Sequence, residues 1–251
     1  MEKNAKMNRK VLITGASRGI GRATALHLAN EGYALLLHAS REASLQPLIA
    51  SLPAGTRYEV LTADFSEEDA LKQFTGTLKK ANKDLYGIVS NAGIALDKAL
   101  VFQPQADIDN MIRVNLMAPI LLAKAAMKIF PRNGEGVFLG IGSCVGEMGN
   151  AFQSVYAATK AANVALIKSL AQEVGQLHGS QTIRFLTLSP GFIQTDMVES
   201  LSEEIQADFL SKIPSRRAGT PAEVAQTIAF LLRDEAAYIN GSEIKINGGL
   251  A

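Results

Sequence analysis

Ser143, Tyr156 and Lys160 are the residues of this chain best suited to acid–base chemistry. Tyr156 and Lys160 are four positions apart in the helix-favouring segment 154–171, so we expect both side chains on one helix face. A phenol titrates near pH ~10 in water, and a nearby ammonium favours its ionised form. Lys160 is therefore predicted to lower the pKa of Tyr156, while the Ser143 hydroxyl holds a carbonyl group. Together they predict reduction of a carbonyl or oxidation of an alcohol.

The same residues also have an ordinary explanation. The spacing Tyr-x-x-x-Lys arises often by chance, and a serine after a buried strand, here the apolar run 137–141, is usually a turn residue. The catalytic interpretation therefore depends on whether the remaining elements build a cofactor site beside them.

Composition limits the function classes. The chain has 251 residues, 47% of them hydrophobic and 20% charged, which is typical of one globular α/β domain. A net charge of +1 gives no overall field for nucleic acid or a membrane surface. One cysteine, Cys144, and three scattered histidines give neither a disulfide nor a metal site, and the polar start has no signal-peptide core. We expect a cytoplasmic protein.

Short apolar runs alternate with amphipathic segments along the chain. The predicted strands are 11–13, 33–38, 58–61, 85–89, 137–141, 183–188 and 243–246, and the predicted helices are 20–30, 42–51, 67–80, 107–129, 154–171 and 221–232. This alternation predicts a doubly wound, Rossmann-like parallel sheet of about seven strands with helices on both faces. Residues 1–9 are interpreted as a polar extension and 10–251 as one dinucleotide-binding domain. Ligands of such sheets bind at the carboxyl ends of the strands.

The turn after the first strand is glycine-rich, reading TGASRGIG from Thr14. Gly15 allows the tight turn, Gly19 lets the backbone approach a pyrophosphate, and Gly21 lets the next helix pack closely on the strand. The helix N-terminus then faces the anion. A glycine-rich turn is weak evidence alone, but its position after the first strand favours a dinucleotide. Its predicted contacts are Gly15, Ser17, Arg18, Gly19, Ile20 and Gly21.

The end of the second strand favours NADP over NAD. An NAD site usually has an acidic residue there, but this chain reads HASR before the first acid, Glu42. Arg18 and Arg41 can pair with a 2′-phosphate, with Ser40 beside them. Alternatively, both arginines are ordinary solvated surface residues. We expect NADPH to be preferred.

Four further segments follow predicted strands or lie in predicted helices. Asp64 can accept a hydrogen bond from an adenine amino group, although an aspartate at this position also resembles an ordinary helix start. Asn115 is unfavourable in the middle of a helix unless something holds it. The remaining cofactor contacts are predicted at Phe65, at Asn91, Ala92 and Gly93 after the fourth strand, and at Pro190, Gly191, Ile193 and Thr195 after the sixth.

Taken together, these motifs resemble the short-chain dehydrogenase/reductase family from about Lys10 to Gly249. TGASRGIG, NAG, the helical Asn115, Ser143, YAATK and PGFIQTD occur in the family's order. The segments IGSCVGEMGNAFQSVYAATKAA, SPGFIQTDM and DEAAYINGSEIKINGG are most similar to 3-oxoacyl-[acyl-carrier-protein] reductases.

The resemblance implies a role for each catalytic candidate. Tyr156 would be the general acid and Ser143 would bind the carbonyl oxygen. Lys160 would hold the nicotinamide ribose and lower the tyrosine pKa, and Asn115 would support a water in a proton relay. NADPH would reduce the β-carbonyl to the (3R)-hydroxyacyl product. The family also implies a tetramer, and pairing with a homologous subunit is an alternative.

The sequence departs from this pattern where the carrier protein would dock. Those reductases grip the acidic carrier with two arginines, and the corresponding positions are Gly134 and Leu177. Lys128, Arg132 and His178 lie nearby and can substitute, or they are ordinary surface charges. The segment 101–110, with Phe102 and Pro104, is also atypical and would reshape an entrance or an oligomer contact.

Three functions remain open from the sequence. The leading one is reduction of 3-oxoacyl thioesters, carrier-linked in fatty acid, polyene or polyketide synthesis. The second is reduction of acyl-CoA, steroid, sugar or other free carbonyl substrates, which the loop 197–217 would select. The third, an inactive dinucleotide sensor or structural subunit, is disfavoured because the tyrosine and lysine are both present.

Overall fold

Seven parallel strands form one sheet in the computed structural model, which describes residues 9–179, 182–195 and 203–250. The strands are β1 Lys10–Ile13, β2 Ala34–Leu37, β3 Tyr58–Val60, β4 Leu85–Ser90, β5 Gly136–Ile141, β6 Ile183–Pro190 and β7 Glu243–Ile246. Their spatial order is β3-β2-β1-β4-β5-β6-β7. The order reverses between β1 and β4, which opens a crevice at the carboxyl ends of these two strands. The predicted doubly wound fold is confirmed.

Helices connect the strands and cover both faces of the sheet. They are α1 Gly19–Asn30, α2 Gln46–Ile49, α3 Glu68–Ala81, α4 Gln105–Ile112, α5 Ala118–Asn133, α6 Val145–Met148, α7 Ser154–His178, α8 Glu203–Lys212 and α9 Pro221–Leu232. Buried side chains form two apolar layers. One packs α1 and α9 against the sheet, and the other packs α3, α5 and α7 against its opposite face.

Several element boundaries differ from those predicted. The expected helix 42–51 is a 3₁₀ turn, Glu42–Leu45, followed by the single turn α2, because Pro47 can occupy only the start of an α-helix. The predicted helix 107–129 is longer and contains a π-helical segment, Arg113–Met117, between α4 and α5. The helices α6 and α8 were not predicted, and α7 runs to His178.

Arg9 anchors the start of the described chain to the body of the domain. Its guanidinium donates to Glu135 at 2.7 Å and to Asp234 at 2.9 Å, and it lies over the Tyr86 ring, 4.1 Å from the centroid. The rest of the proposed polar extension, residues 1–8, lies outside the described residues.

One continuous helical stretch is long and apolar enough to cross a membrane. It spans Gln105–Asn133, with a mean hydropathy of 1.3 over its most apolar window, and 56% of that window is buried inside the fold. A core helix packed in this way meets the same criterion, so the stretch is weak evidence for a membrane span.

Candidate active site

The glycine-rich turn lies between the ends of β1 and β4. Gly15 and Gly19 have φ angles of +66° and +53°, a backbone conformation that favours glycine. A Cβ on Gly21 would collide with the carbonyl oxygen of Gly15, so only glycine lets α1 begin this close to the turn. The N-cap residue of α1, Arg18, forms no capping bond through its side chain, and no acidic residue lies in the first turn. Its amide groups therefore fit an anion such as a pyrophosphate.

Thr14 and Asn91 hold this turn against the end of β4. The Thr14 hydroxyl accepts hydrogen bonds from the backbone amides of Asn91 and Ala92, both at 3.0 Å. The Asn91 side chain donates to the carbonyl oxygens of Thr14 at 2.9 Å and Gly15 at 3.2 Å. The side chain of Asn91, which was predicted to approach the cofactor, therefore stabilises the turn. Thr14 was not among the predicted site residues.

The predicted adenosine contacts Arg18, Ser40, Arg41 and Asp64 follow β1, β2 and β3, and this end of the crevice is called the adenosine end. The first three are exposed, and neither arginine forms an ion pair with any residue that the structure describes. The Asp64 carboxylate accepts from the Ser66 amide at 2.9 Å and from its hydroxyl at 2.7 Å. These bonds hold the pKa of Asp64 below its usual value. Asp64 therefore stabilises a local turn before α3, and its predicted contact with an adenine stays a prediction.

His38 is a further residue of this end that the sequence did not single out. It is buried between the turn and the adenosine end, where Gly15 N–H donates to Nδ1 at 3.3 Å and Nε2 lies 3.0 Å from the Ala63 carbonyl oxygen. Its ring stacks on Phe65, 4.1 Å between centroids. Burial lowers the pKa of His38 to about 4, so the ring is neutral at physiological pH. The Phe65 side chain lies in the core, which leaves only its backbone available to a cofactor.

The reaction end of the crevice contains Asn115, Ser143, Tyr156 and Lys160. Ser143 follows β5, and its Oγ accepts from the Val145 amide at 3.2 Å. That bond does not use the hydroxyl proton, and the nearby Ser143 hydroxyl lowers the pKa of the Tyr156 phenol. A Cβ on Gly146 would lie 2.9 Å from the Ala161 amide nitrogen. The glycine therefore lets α6 approach α7, which brings Ser143 to Tyr156.

Tyr156 and Lys160 lie together, but their electrostatics differ from the prediction. Lys160 Nζ is 5.6 Å from the centre of the Tyr156 ring and donates to the Ile141 carbonyl oxygen at 2.8 Å. Burial raises the pKa of Tyr156 to about 12, and the neighbouring Ser143 hydroxyl lowers it only in part. Burial also lowers the pKa of Lys160 to about 8. The Tyr156 pKa is therefore raised by burial and not lowered by Lys160 as predicted.

Asn115 lies in the π-helical segment and is 1% exposed. Its Oδ1 accepts from the Ile94 amide at 2.8 Å, and its Nδ2 donates to the Ile94 carbonyl oxygen at 2.7 Å. Its backbone carbonyl accepts from the Asn163 side chain at 2.7 Å. An asparagine that is costly in a helix is thus fixed by both its side chain and its backbone.

The segment after β6 closes the crevice. The Cys144 amide donates to the Pro190 carbonyl oxygen at 3.0 Å, which joins this segment to the loop of Ser143. Gly191 passes so close to Asn247 that a Cβ would lie 2.7 Å from its Cα. The Thr195 methyl group would lie 3.5 Å from a Cβ on Gly19, so the segment reaches the glycine turn. Ile193 is buried, and Asp196 lies outside the described residues.

A family model described as enoyl-(acyl carrier protein) reductase matches residues 15–251. The chain belongs to the short-chain dehydrogenase/reductase family. It is 36% identical over 239 residues to a 3-oxoacyl-[acyl-carrier-protein] reductase of Escherichia coli (strain K12), covering 95% of this chain and 96% of the relative. It is 39% identical over 246 residues to nodulation protein G of Rhizobium sp. (strain N33), covering 97% of both chains. The resemblance to 3-oxoacyl-[acyl-carrier-protein] reductases is confirmed.

A solved structure of this family superposes with a TM-score of 0.88 at 26% identity and covers 96% of both chains. It is described as a candidate NAD(P)-dependent gluconate 5-dehydrogenase from Beutenbergia cavernae with bound NADP at low occupancy. The relatives within this family therefore differ in the substrates for which they are named.

Proposed function

We propose that this short-chain oxidoreductase uses NADPH to reduce a 3-oxoacyl thioester to its (3R)-hydroxyacyl product. The observation that supports it is the meeting of Ser143, Tyr156 and Lys160 at the carboxyl edge of the sheet, beside the glycine-rich turn. Relatives that are named for 3-oxoacyl-[acyl-carrier-protein] reduction, and that match nearly the full chain, supply the substrate class.

The residues around the crevice fit NADP(H). The turn amides would hold the pyrophosphate, and Arg18 and Arg41, which form no ion pair within the described part of the chain, suit a 2′-phosphate. The bound cofactor supplies hydride-transfer chemistry at its nicotinamide ring. The proposed contacts are Gly15, Ser17, Arg18, Gly19, Ile20 and Gly21 at the pyrophosphate; Ser40, Arg41, Asp64 and Phe65 around the adenosine; and Asn91, Ala92, Gly93, Tyr156, Lys160, Pro190, Gly191, Ile193 and Thr195 towards the nicotinamide.

Each catalytic residue then has a defined task. Tyr156 is protonated at neutral pH because its pKa is about 12, so it holds the proton that the reduced oxygen requires. Ser143 has a free hydroxyl proton with which to orient the substrate carbonyl. Lys160 is charged below about pH 8 and lies 5.6 Å from the centre of the Tyr156 ring, and its proposed task is to hold the nicotinamide ribose. Asn115 holds the loop after β4 through Ile94.

An exposed basic stripe on α5 is the proposed dock for an acidic carrier protein. It consists of Lys124, Lys128 and Arg132, which recur every four residues on one helix face and form no ion pair with any residue that the structure describes. Arg132 lies just before Gly134, the position without the expected arginine, so the positive charge is displaced along the helix and not lost. His178, at the end of α7, is also exposed.

An assay of NADPH oxidation over carrier-linked, CoA-linked and free ketones tests the substrate class. We expect the carrier-linked 3-oxoacyl substrate to have the highest kcat/KM. Joint substitution Lys128→Glu and Arg132→Glu should lower that value at least tenfold and leave the CoA-linked substrate unchanged, since rim charges act mainly on association. Lys83→Glu, an exposed lysine outside the stripe, is the matched control. Equal losses for both substrates would contradict docking at the stripe.

Reduction of a free carbonyl substrate is the second candidate, because the superposed structure is described as a gluconate 5-dehydrogenase. Turnover of polyols or sugar acids, with no activity on any 3-oxoacyl thioester, would favour it. The loop 197–217 proposed to select the substrate is described only from residue 203.

Exposed apolar side chains support the proposed homo-oligomer. Val101 and Phe102 are 82% and 77% exposed, in a 3₁₀ turn next to α4. They adjoin an open apolar depression of about 370 Å³, lined by Leu100, Ile108, Ile112, Leu116, Val155 and Ala158. Exposed apolar side chains that cluster in this way are candidates for a protein–protein contact. Sedimentation analysis of the Ile112→Glu variant, which is expected to dissociate, tests the proposed homo-oligomer. The predicted cytoplasmic location stays a prediction.

A further inference from the structure

A small cavity lies behind the proposed proton donor, between the sheet and α7. Its volume is about 10 Å³, and its polar lining residues are Ser90, Asn115, Lys160 and Asn163. A single water needs roughly 10–15 Å³ and two to four polar partners. The cavity is therefore the right size for one water molecule.

Asn163 presents an unsatisfied oxygen in this region. The residue is 4% exposed, and its Oδ1 accepts no hydrogen bond from any residue that the structure describes. Its Nδ2 donates to the Asn115 carbonyl oxygen at 2.7 Å, which fixes the orientation of the amide. A buried amide oxygen without a partner destabilises the fold, so a water in the cavity is the natural donor.

Pro119 explains why Asn163 is needed. In a regular helix the Asn115 carbonyl would accept from the amide of residue 119, but proline has no N–H. The preceding turn is wide, with the Ala118 amide donating to the Arg113 carbonyl oxygen five residues back. The Asn115 carbonyl is therefore available to the Asn163 side chain across the helix interface.

Lys160 contributes a hydrogen-bond donor to the same cavity. Its ammonium has three N–H donors and is 5% exposed, and one donor bonds to the Ile141 carbonyl oxygen. The proposed function directs a second donor towards the cofactor, which leaves one for the cavity. We propose that Asn163 is a positioning residue for Lys160, and that its Oδ1 and Lys160 Nζ are bridged by one buried water. The inference rests on the proposed role of Lys160 in the reduction.

Two substitutions distinguish this role from simple packing. Asn163→Leu keeps the branched shape of the side chain, with two larger methyl groups in place of the amide atoms, and makes the cavity apolar, whereas Asn163→Ala enlarges it and admits water to both orphaned groups. We expect kcat to fall about tenfold to a hundredfold for Leu and less than about threefold for Ala. A residue that only fills space would give the reverse order, because Ala leaves the larger void. Ile167→Val, which trims an apolar wall of the same cavity, is the control and should keep wild-type kcat.

A crystal structure of the wild-type chain at high resolution is the second readout, and it does not depend on activity. We expect one ordered water about 2.7–3.2 Å from both Asn163 Oδ1 and Lys160 Nζ. A dry cavity would overturn the inference even if the enzyme were active. An inactive enzyme with the water in place would instead contradict the proposed function. If Asn163→Leu fails to fold, the crystal structure decides alone.

Discussion

At the reaction end of the crevice the proposed catalytic side chains are largely buried and fixed by hydrogen bonds within the protein, whereas at the adenosine end the proposed phosphate-binding arginines are exposed. Asn115 and Lys160 are 1% and 5% exposed, and both bond to backbone groups of strands or strand-following loops. Arg18 and Arg41 lie in solvent and form no ion pair with the described part of the chain. The proposed catalytic groups are thus held by the protein itself, whereas the two arginines have no ion-pair partner among the described residues that a phosphate would have to displace.

The largest expected effect is at the reaction end. Tyr156→Phe removes only the hydroxyl that holds the transferable proton, so kcat should fall about 10²- to 10⁴-fold. Fluorescence titration with NADPH should show nearly unchanged affinity, since the phenyl ring remains. Substantial activity in this variant would mean that another group donates the proton.

Charge reversal at the adenosine end should affect binding instead. Arg41→Glu replaces a charge-assisted contact worth about 1.5–3 kcal/mol, so KM for NADPH should rise about tenfold to a hundredfold. The same change should leave kcat at saturating cofactor nearly intact. Steady-state kinetics with NADPH and NADH provide the measurement, and equal turnover of both cofactors by the wild-type enzyme would refute the assignment.

Lys160→Met should stabilise the fold while it abolishes activity. Burial lowers the pKa of Lys160 to about 8, so the charged form opposes folding at neutral pH. The free energy of unfolding should rise on the order of 2 kcal/mol at pH 7. Above pH 8 the native lysine loses its proton before the unfolded one does, so the wild-type chain gains stability and the difference shrinks. Urea denaturation of the wild-type and variant chains at pH 7 and pH 9.5 tests both the stabilisation and its decrease at high pH.

The smallest effect is expected at Asp64. Its carboxylate already accepts two hydrogen bonds from Ser66, and the depressed pKa stabilises the fold at neutral pH but not in acid. Asp64→Asn keeps an acceptor oxygen, so KM for NADPH should change less than about threefold. A tenfold rise in KM for NADPH would instead support the direct contact between Asp64 and the adenine that the sequence suggested.

The sequence predicted the elements whose signals are local and periodic. The strands, the glycine-rich turn and the spacing of Tyr156 and Lys160 all follow from side-chain periodicity or glycine geometry. The helix α9 also has the predicted bounds, fixed at its start by Pro221 and by a capping box between Thr220 and Glu223.

Features that depend on tertiary contacts were missed. His38 joins the turn to the adenosine end through atoms supplied by Gly15 and Ala63, and its role cannot be found within one strand. Asn163 acts through a carbonyl on another helix, so its helical position carried no signal. The electrostatic prediction for Tyr156 failed because it included the neighbouring charge but not the cost of burial.

The wide turn at Arg113–Met117 places one more residue between α4 and α5 than a uniform helix would need. The side-chain directions of the two helices are therefore out of phase by about 100°, one residue's share of a 3.6-residue turn. A helical wheel drawn through α4 and α5 with one constant angle per residue would therefore assign some residues to the wrong face.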